Sequence, residues 1–595
     1  MTAQLEKKGR VPYWTALMAA AAMALTLGCE KPDWENPDYV AQMLEEGDNR
    51  QKREAVGTLR NFPEDRRHEI AEPLAKIYLE DVELRDDVMR HLMQWREPGA
   101  VSAYLEEMKT DQTGNAEHAG EVLGRIQSRE SIPAMLEAFG STGNDERRDG
   151  ILRGLAEMPD PSVVDVAIEV LALDVDNHKI SMHSHACNMV GELALEHPDA
   201  INEDLKRALI RSVFLSDEVG RQIFRECRLA IQKVGTPMTP FLIELFNQEN
   251  EEVERLLMTY EQSTEGYQYP FNRAKQEAAL QLTGMRAPEA VELFLEDMAV
   301  TKEVPDGYSQ NRRVSWIRME GASLNEMILG LGDLGDPAAR PMLERVLEGD
   351  LIGNEWDNIT DDMVDFQFRQ DAARALTRLG DRDARAKLLK MAQADTIGVM
   401  ARRFAAEAAR AEENPDAPVT PEVEQFRPQW QAAAGFAFLA EADDRERYES
   451  FVSGVDDGEF KEKLESFLPA FDVMDKCGDT EEAAAKATCF GEFIDADEEG
   501  ARFKAAYELS RLPGEAAAPV VAEAIKTDSL STREVLTFAG YRAPSSELVA
   551  SIDEILQSEG SRSASEYRRD RDRLHMLRAW LQHHDSDPVV AAAEE

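Results

Sequence analysis

The sequence predicts an all-α protein built as an α-solenoid of stacked helical hairpins. Three observations carry that expectation: an apolar frame that recurs along the chain, small residues held at fixed places within it, and Gly, Pro and Asp clusters that interrupt it. With Leu334 as anchor, an apolar residue precedes by three, small or apolar residues precede by six and seven, and a small residue often follows by five. The same frame ends at Phe62, Trp95, Ile126, Met158, Leu193, Val234, Met285, Leu379, Leu512 and Tyr541. Successive anchors stand 29 to 51 residues apart, except for one gap of 133 that corresponds to about three degenerate units. Offsets of three and seven select one helical face, the repeated Ala lets a neighbouring backbone approach, and the Gly/Pro/Asp cluster turns the chain into the next helix. A lone hairpin cannot bury both its faces, so successive hairpins must stack on a continuous core.

One unit contains "GLGDLGDP", in which Gly330, Gly332 and Gly335 show the G-x-G-x-x-G spacing of a dinucleotide-binding turn. That turn needs a strand before its first glycine and a helix straight after it. Here Met327, Ile328 and Leu331 precede at helical spacing, and Asp336-Pro337 reads as the cap and first turn of a helix that begins only after the third glycine. Glu355 lies near the offset of a ribose ligand, but one acid in so acidic a chain singles out nothing. Gly332 is therefore expected at a helix contact and Gly335 at a left-handed helix stop.

The stretches "LGLGDLGDPAARPMLERVLEGD" and "LTRLGDRDARAKLLKMAQAD" resemble HEAT-type repeats, particularly the bacterial form also found in phycobilin lyases. The resemblance covers most of the chain beyond its first thirty residues and is sharpest in the units anchored at Leu334 and Leu379. It implies a concave side or inter-repeat loops that engage another macromolecule, and it implies no reaction.

The chain opens with Lys7, Lys8 and Arg10, then an apolar stretch, then Leu25-Thr26-Leu27-Gly28-Cys29, the order of a secretory signal. With Cys at the junction it resembles a bacterial lipoprotein signal peptide, which implies cleavage before Cys29 and a lipid on its sulfur. Thr26 stands where that family usually has Leu, and Leu25 lies one place further back. An uncleaved anchor over Val11 to Gly28 is the alternative. Either reading ties the chain to the lipid bilayer outside the cytoplasm, and Glu30, in place of the Asp of inner-membrane retention, points to the outer membrane, facing periplasm or exterior. The expected organisation is a signal at 1–29, a tether at 30–38, HEAT-like repeats at 39–411, a linker at 412–423, degenerate helical repeats at 424–581 and a disordered tail at 582–595. The last helix, "YRRDRDRLHMLRAWLQ", reads as a terminal cap with an exposed basic side.

Lys and Arg number 67 against 115 Asp and Glu, a net charge of -48. Clustered positive charge is what a phosphate backbone requires, so no nucleic-acid partner is expected. Three consecutive units, between Val234 and Leu379, carry insertions, whose aromatics Tyr267, Tyr269, Tyr308 and Trp356 form the candidate binding surface. The competing reading folds those loops back as lids over the widened repeats. The acidic run Asp357, Asp361, Asp362 and Asp365 lacks the alternating ligands and central Gly of an EF-hand loop and reads as solvated charge.

His178, His183, His185 and Cys187 fall close together, but Cys187 occupies a small-residue slot equivalent to Ala373, so the cluster reads as packing and no metal is expected. The chain has His68-Glu69 but not the several His-Glu pairs of HEAT-type di-iron hydroxylases, and it lacks H-E-x-x-H, G-x-S-x-G and a phosphate loop with Lys. No catalytic residue and no cofactor are expected. If Cys29 carries lipid, four cysteines remain. Cys187 and Cys227 sit in nearly equivalent slots of successive repeats, where axes about 8–10 Å apart disfavour a bond. Cys477 and Cys489 are out of reach along an unbroken helix and within reach across a loop, which makes them the possible disulfide. The function expected is a membrane-tethered scaffold for envelope proteins, not an enzyme. The alternative is a small-ligand-binding protein or lyase-like enzyme that uses a groove under the aromatic loops.

Overall fold

The computed structural model describes residues 33–110, 115–175, 180–216, 224–263, 272–300, 303–349, 363–395, 398–414, 419–559 and 565–584. Among these the chain is α-helical with short 3-10 turns and has no β-strand, as the recurring frame requires. No described helix is long and apolar enough to cross a membrane. Cys29 lies outside the described residues.

The chain divides into two compact units, Met1–Met158 and Pro159–Glu595. The helix that follows residues 412–423, Arg427–Leu439, packs on Arg369–Leu379 and Arg385–Ala392. Thr420 is held by Glu407, to which its backbone N–H and hydroxyl both donate.

In the first unit, helices α1 (Asn115–Arg125) and α2 (Asp145–Ala156) meet backbone to backbone. A Cβ placed on Gly150 would stand 1.7 Å from the Glu117 carbonyl oxygen, so only glycine permits this approach. Buried hydroxyls are satisfied locally: Tyr78 donates to Glu107 at 2.5 Å and Tyr104 to the Leu92 carbonyl at 2.8 Å.

The inner helices of the second unit are α3 (Ile180–Glu196), α4 (Phe224–Val234), α5 (Arg273–Gly284), α6 (Gln310–Leu334), α7 (Arg369–Leu379) and α8 (Arg427–Leu439). They continue through α9 (Pro469–Cys477), α10 (Ala483–Gly491), α11 (Glu499–Leu509), α12 (Leu530–Arg542) and α13 (Ser565–His584). The turns between hairpins repeat one chemistry. Asp160, Asp336 and Asp381 each accept from the backbone N–H two residues on, which opens a 3-10 turn and then the outer helix. The three-glycine stretch is part of this pattern. Gly335 ends α6 at φ +78°, and a Cβ on Gly332 would lie 2.5 Å from Ala375 Cα of α7. Leu331, Leu343, Leu376 and Leu388 are fully buried in the shared core.

Each of α3 to α8 packs on its successor, as in an open array. The array then turns back: α8 packs on α11, α11 on α12, α12 on α13, and α13 on α4. Within the second unit the α-solenoid therefore closes on itself, α4 to α8 and α11 to α13 forming a circuit of helices. The last helix runs to His584. Its polar residues are engaged: Asp570 pairs with Arg533, Asp572 with Arg225, Arg573 with Glu534 and Arg578 with Asp553. His583 meets the Lys233 carbonyl at the end of α4, in a place that Gly235 leaves open.

Two disulfides tie the second unit. Cys187 of α3 is joined to Cys227 of α4 with Cα atoms 4.9 Å apart, against the expectation drawn from axis spacing, because Cα atoms that face each other stand about 2.3 Å inside each axis and so come much closer than the axes do. Gly191, one turn on, brings the axes together, since a Cβ there would lie 3.3 Å from Ala230 Cα. Cys477 ends α9 and is joined to Cys489 of α10 across the intervening turn, Cα atoms 5.8 Å apart.

Candidate functional site: the central seam

Closure of the circuit sets the ends of α5, α6 and α7 against α13, α12 and α11. Gly284, the last residue of α5, faces Met576; Gly335 faces Arg542; Gly380, which ends α7 at φ +79°, faces Arg511. The carbonyls that a helix leaves unpaired at its C-terminus would be costly to bury here, and the negative end of the helix dipole favours a cation beside them. Cations supply the partners. Arg286 donates to the Asp333 carbonyl. Lys504 donates to Phe438 at 3.1 Å and Ala440 at 2.6 Å, and Arg511 to Phe438 at 3.1 Å.

Carboxylates complete the seam. Arg378 bridges Asp333 and Glu534, each at 2.7 Å. Glu534 also takes Arg573 at 3.1 Å and Arg374 at 3.4 Å. Glu508 takes Lys504 and Arg511, both at 2.8 Å. Burial pushes Lys504 down to about 8, although Glu508 opposes that. Burial pushes Arg542 down to about 10, with Arg286 and Arg511 adding to the effect. Burial lifts Tyr541 to about 12.

Two cavities lie in the seam and share the wall made by Arg374, Arg378 and Glu534. One, of about 350 Å3, is lined by Arg286, Asp333, Arg573, Phe538 and Tyr541. The other, of about 400 Å3, is lined by Trp430, Phe438, Phe467, Phe503 and Tyr507. Its aromatics pack on one another, Phe438 to Tyr507 at 5.5 Å between ring centres and to Phe503 at 5.7 Å. The site sets charged and planar apolar side chains next to one another.

Of the candidate aromatics, Tyr308 lies just before α6, half-buried beneath Arg312 at 4.1 Å. Tyr267, Tyr269 and Trp356 fall outside the described residues, as do His178, Asp357, Asp361 and Asp362. His183 is fully buried and Cys187 is in a disulfide. Among the described residues no group of three or more His, Cys, Asp or Glu is placed to hold a metal ion.

The seam arginines escape sequence reasoning because a single Arg at the end of a helix normally reads as a solvated charge. A signal does exist: Arg286, Arg378, Arg511 and Arg542 each adjoin a repeat anchor in an otherwise acidic chain.

No family model matches the chain, and no curated protein matches it. Among solved structures it is similar to the karyopherin Kap121p, at 11% identity over 96% of this chain and 67% of that one, with a TM-score of 0.42. It is similar to Kap121p bound to the SUMO protease Ulp1p, at 12% identity over the same shares, with a TM-score of 0.44. Importin beta in an ammonium sulfate condition matches at 11% identity over 91% and 73%, with a TM-score of 0.36. The hairpin packing and the repeated Asp-capped turns make the chain a HEAT-like helical-repeat protein.

Proposed function

We propose that this protein is a lipid-anchored scaffold of the cell envelope, which presents its helical repeats to other envelope proteins outside the cytoplasm. The observation that carries the reading is the use of cysteine. Two disulfides consume four of the five, and the fifth is Cys29, at the end of the signal-like segment. Structural disulfides persist in oxidising compartments, and a Cys kept apart from them at such a junction suits lipidation. A net charge of -48 favours partners with basic faces. The inserted loops with Tyr267, Tyr269, Tyr308 and Trp356 are the surface proposed for them, and the outer membrane is the proposed address.

The test is expression of the full chain and of Cys29→Ser in a diderm bacterium, with palmitate labelling, membrane fractionation and affinity capture. The reading expects label and membrane association on the parent chain alone, and specific partners that are lost when residues 264–271 and 350–362 are replaced by short Gly/Ser linkers. A parent chain that takes no lipid, stays in the cytosol and keeps its thiols free would overturn it.

A further inference from the structure

We propose that the cavity of about 350 Å3 lined by α5, α6, α7, α12 and α13 is a binding site for a small carboxylate carrying a planar apolar group. Its volume falls within the usual range for small-molecule sites. Charge identifies the ligand class. Arg286, Arg374, Arg378 and Arg573 line the cavity together with the carboxylates Glu326, Asp333 and Glu534; Glu534 is shared by Arg374, Arg378 and Arg573, Asp333 takes Arg378, and Asp371, outside the lining, stands 3.8 Å from Arg374. Arg286 has a carbonyl and an aromatic ring as its contacts rather than an acid: it donates to the Asp333 carbonyl and stacks over Tyr541 at 4.0 Å. Arg286, a guanidinium in the wall with no acid of its own, would be relieved by an anion, and a planar carboxylate matches the guanidinium fork.

The remaining wall selects the body of the ligand. Leu280, Leu329, Phe538, Tyr541 and Met576 give the cavity an apolar side next to its cations. Phe538 stands between Arg286 and Arg542, at 5.6 and 4.6 Å from their guanidinium carbons, so ring and charge are presented together. A bare inorganic anion would leave this side unfilled, and a cation would meet the arginines. The cavity lies at the seam of the circuit and the inference uses neither the anchor nor the inserted loops, so it stands or falls independently of the envelope scaffold.

Calorimetric titration of the purified full chain with 1-naphthoate, 1-naphthamide and inorganic phosphate tests the site. Saturable binding of naphthoate is expected, with naphthamide and phosphate each weaker by about tenfold or more, the scale of a lost charge-assisted contact. Arg286→Gln should weaken naphthoate by a similar factor. Arg573→Gln, at the rim and 39% exposed, should weaken it severalfold while leaving the melting temperature unchanged, and it carries the test if Arg286→Gln does not fold. Equal binding of naphthoate and naphthamide, equal binding of phosphate, no binding of naphthoate, or full binding by the folded variants would each overturn the proposal.

Discussion

Arg378 joins the two halves of the second unit by one side chain, with Nη1 2.7 Å from Asp333 Oδ1 and Nη2 2.7 Å from Glu534 Oε1, a residue 156 positions further along. Asp333 ends α6 and Glu534 belongs to α12, so the guanidinium spans the seam. Arg378→Met should destabilise the second unit by about 3 kcal/mol, since a largely buried pair is broken from one side. Denaturant unfolding of Arg378→Met, Glu534→Gln and the double variant should give a coupling energy of about 1–3 kcal/mol. Additivity would show that the bridge does not hold the halves together.

Glu508 should make stability acid-sensitive. Burial alone would raise its carboxyl, but Lys504, Arg511 and Arg382 outweigh burial and hold it down at about 2. The unfolded carboxyl binds its proton more tightly than the folded one, so this contribution is present above about pH 4.5 and is lost as pH falls towards 2. Thermal melts between those values should show the loss, and Glu508→Gln should flatten the slope while lowering stability throughout.

Glu326 should act with the opposite sign. Burial lifts its carboxyl to about 7, opposed by a hydrogen bond with Gln276 and by Arg228, and assisted by Glu277 and Asp333. The folded form now holds the proton more tightly, so stability falls as pH rises from about 4.5 to 7 and is level above that. Glu326→Gln should remove this slope and gain about 3 kcal/mol at pH 8. A variant with the parent's pH profile would disprove the assignment.

The disulfides should differ in their contribution. The Cys187–Cys227 pair spans 40 residues and the Cys477–Cys489 pair 12, so chain entropy gives about 4 and 3 kcal/mol respectively. Paired Cys→Ala variants, measured by guanidinium unfolding, check the order. A larger loss from the second pair would show that local packing outweighs loop closure.

The hairpins were legible because burial writes its period into each helix: Leu331, Leu334, Leu376 and Leu379 keep helical spacing whatever lies across from them. The turns were legible because an Asp before the first helical turn has a single job. Closure was not. It depends on which outward face of α12 and α13 meets which end of α5 and α6, and those faces carry Arg and Glu, the residues that solvent also selects. The Cys187–Cys227 bond was not legible from axis spacing, because axes about 8–10 Å apart leave facing Cα atoms within disulfide reach, and which residues face each other is set by the close approach at Gly191.

Joining α13 to α4 changes how the second unit must assemble. An open row of repeats can form from any starting point and fray from either end, because every contact is between neighbours in sequence. Here His583 meets Lys233 across 350 positions, so a late, high-contact-order step completes the circuit, and its last helix is held in place and not left to fray. The unit should melt as one cooperative block, and a chain cut short before residue 565 should lose far more than one helix's share of its stability.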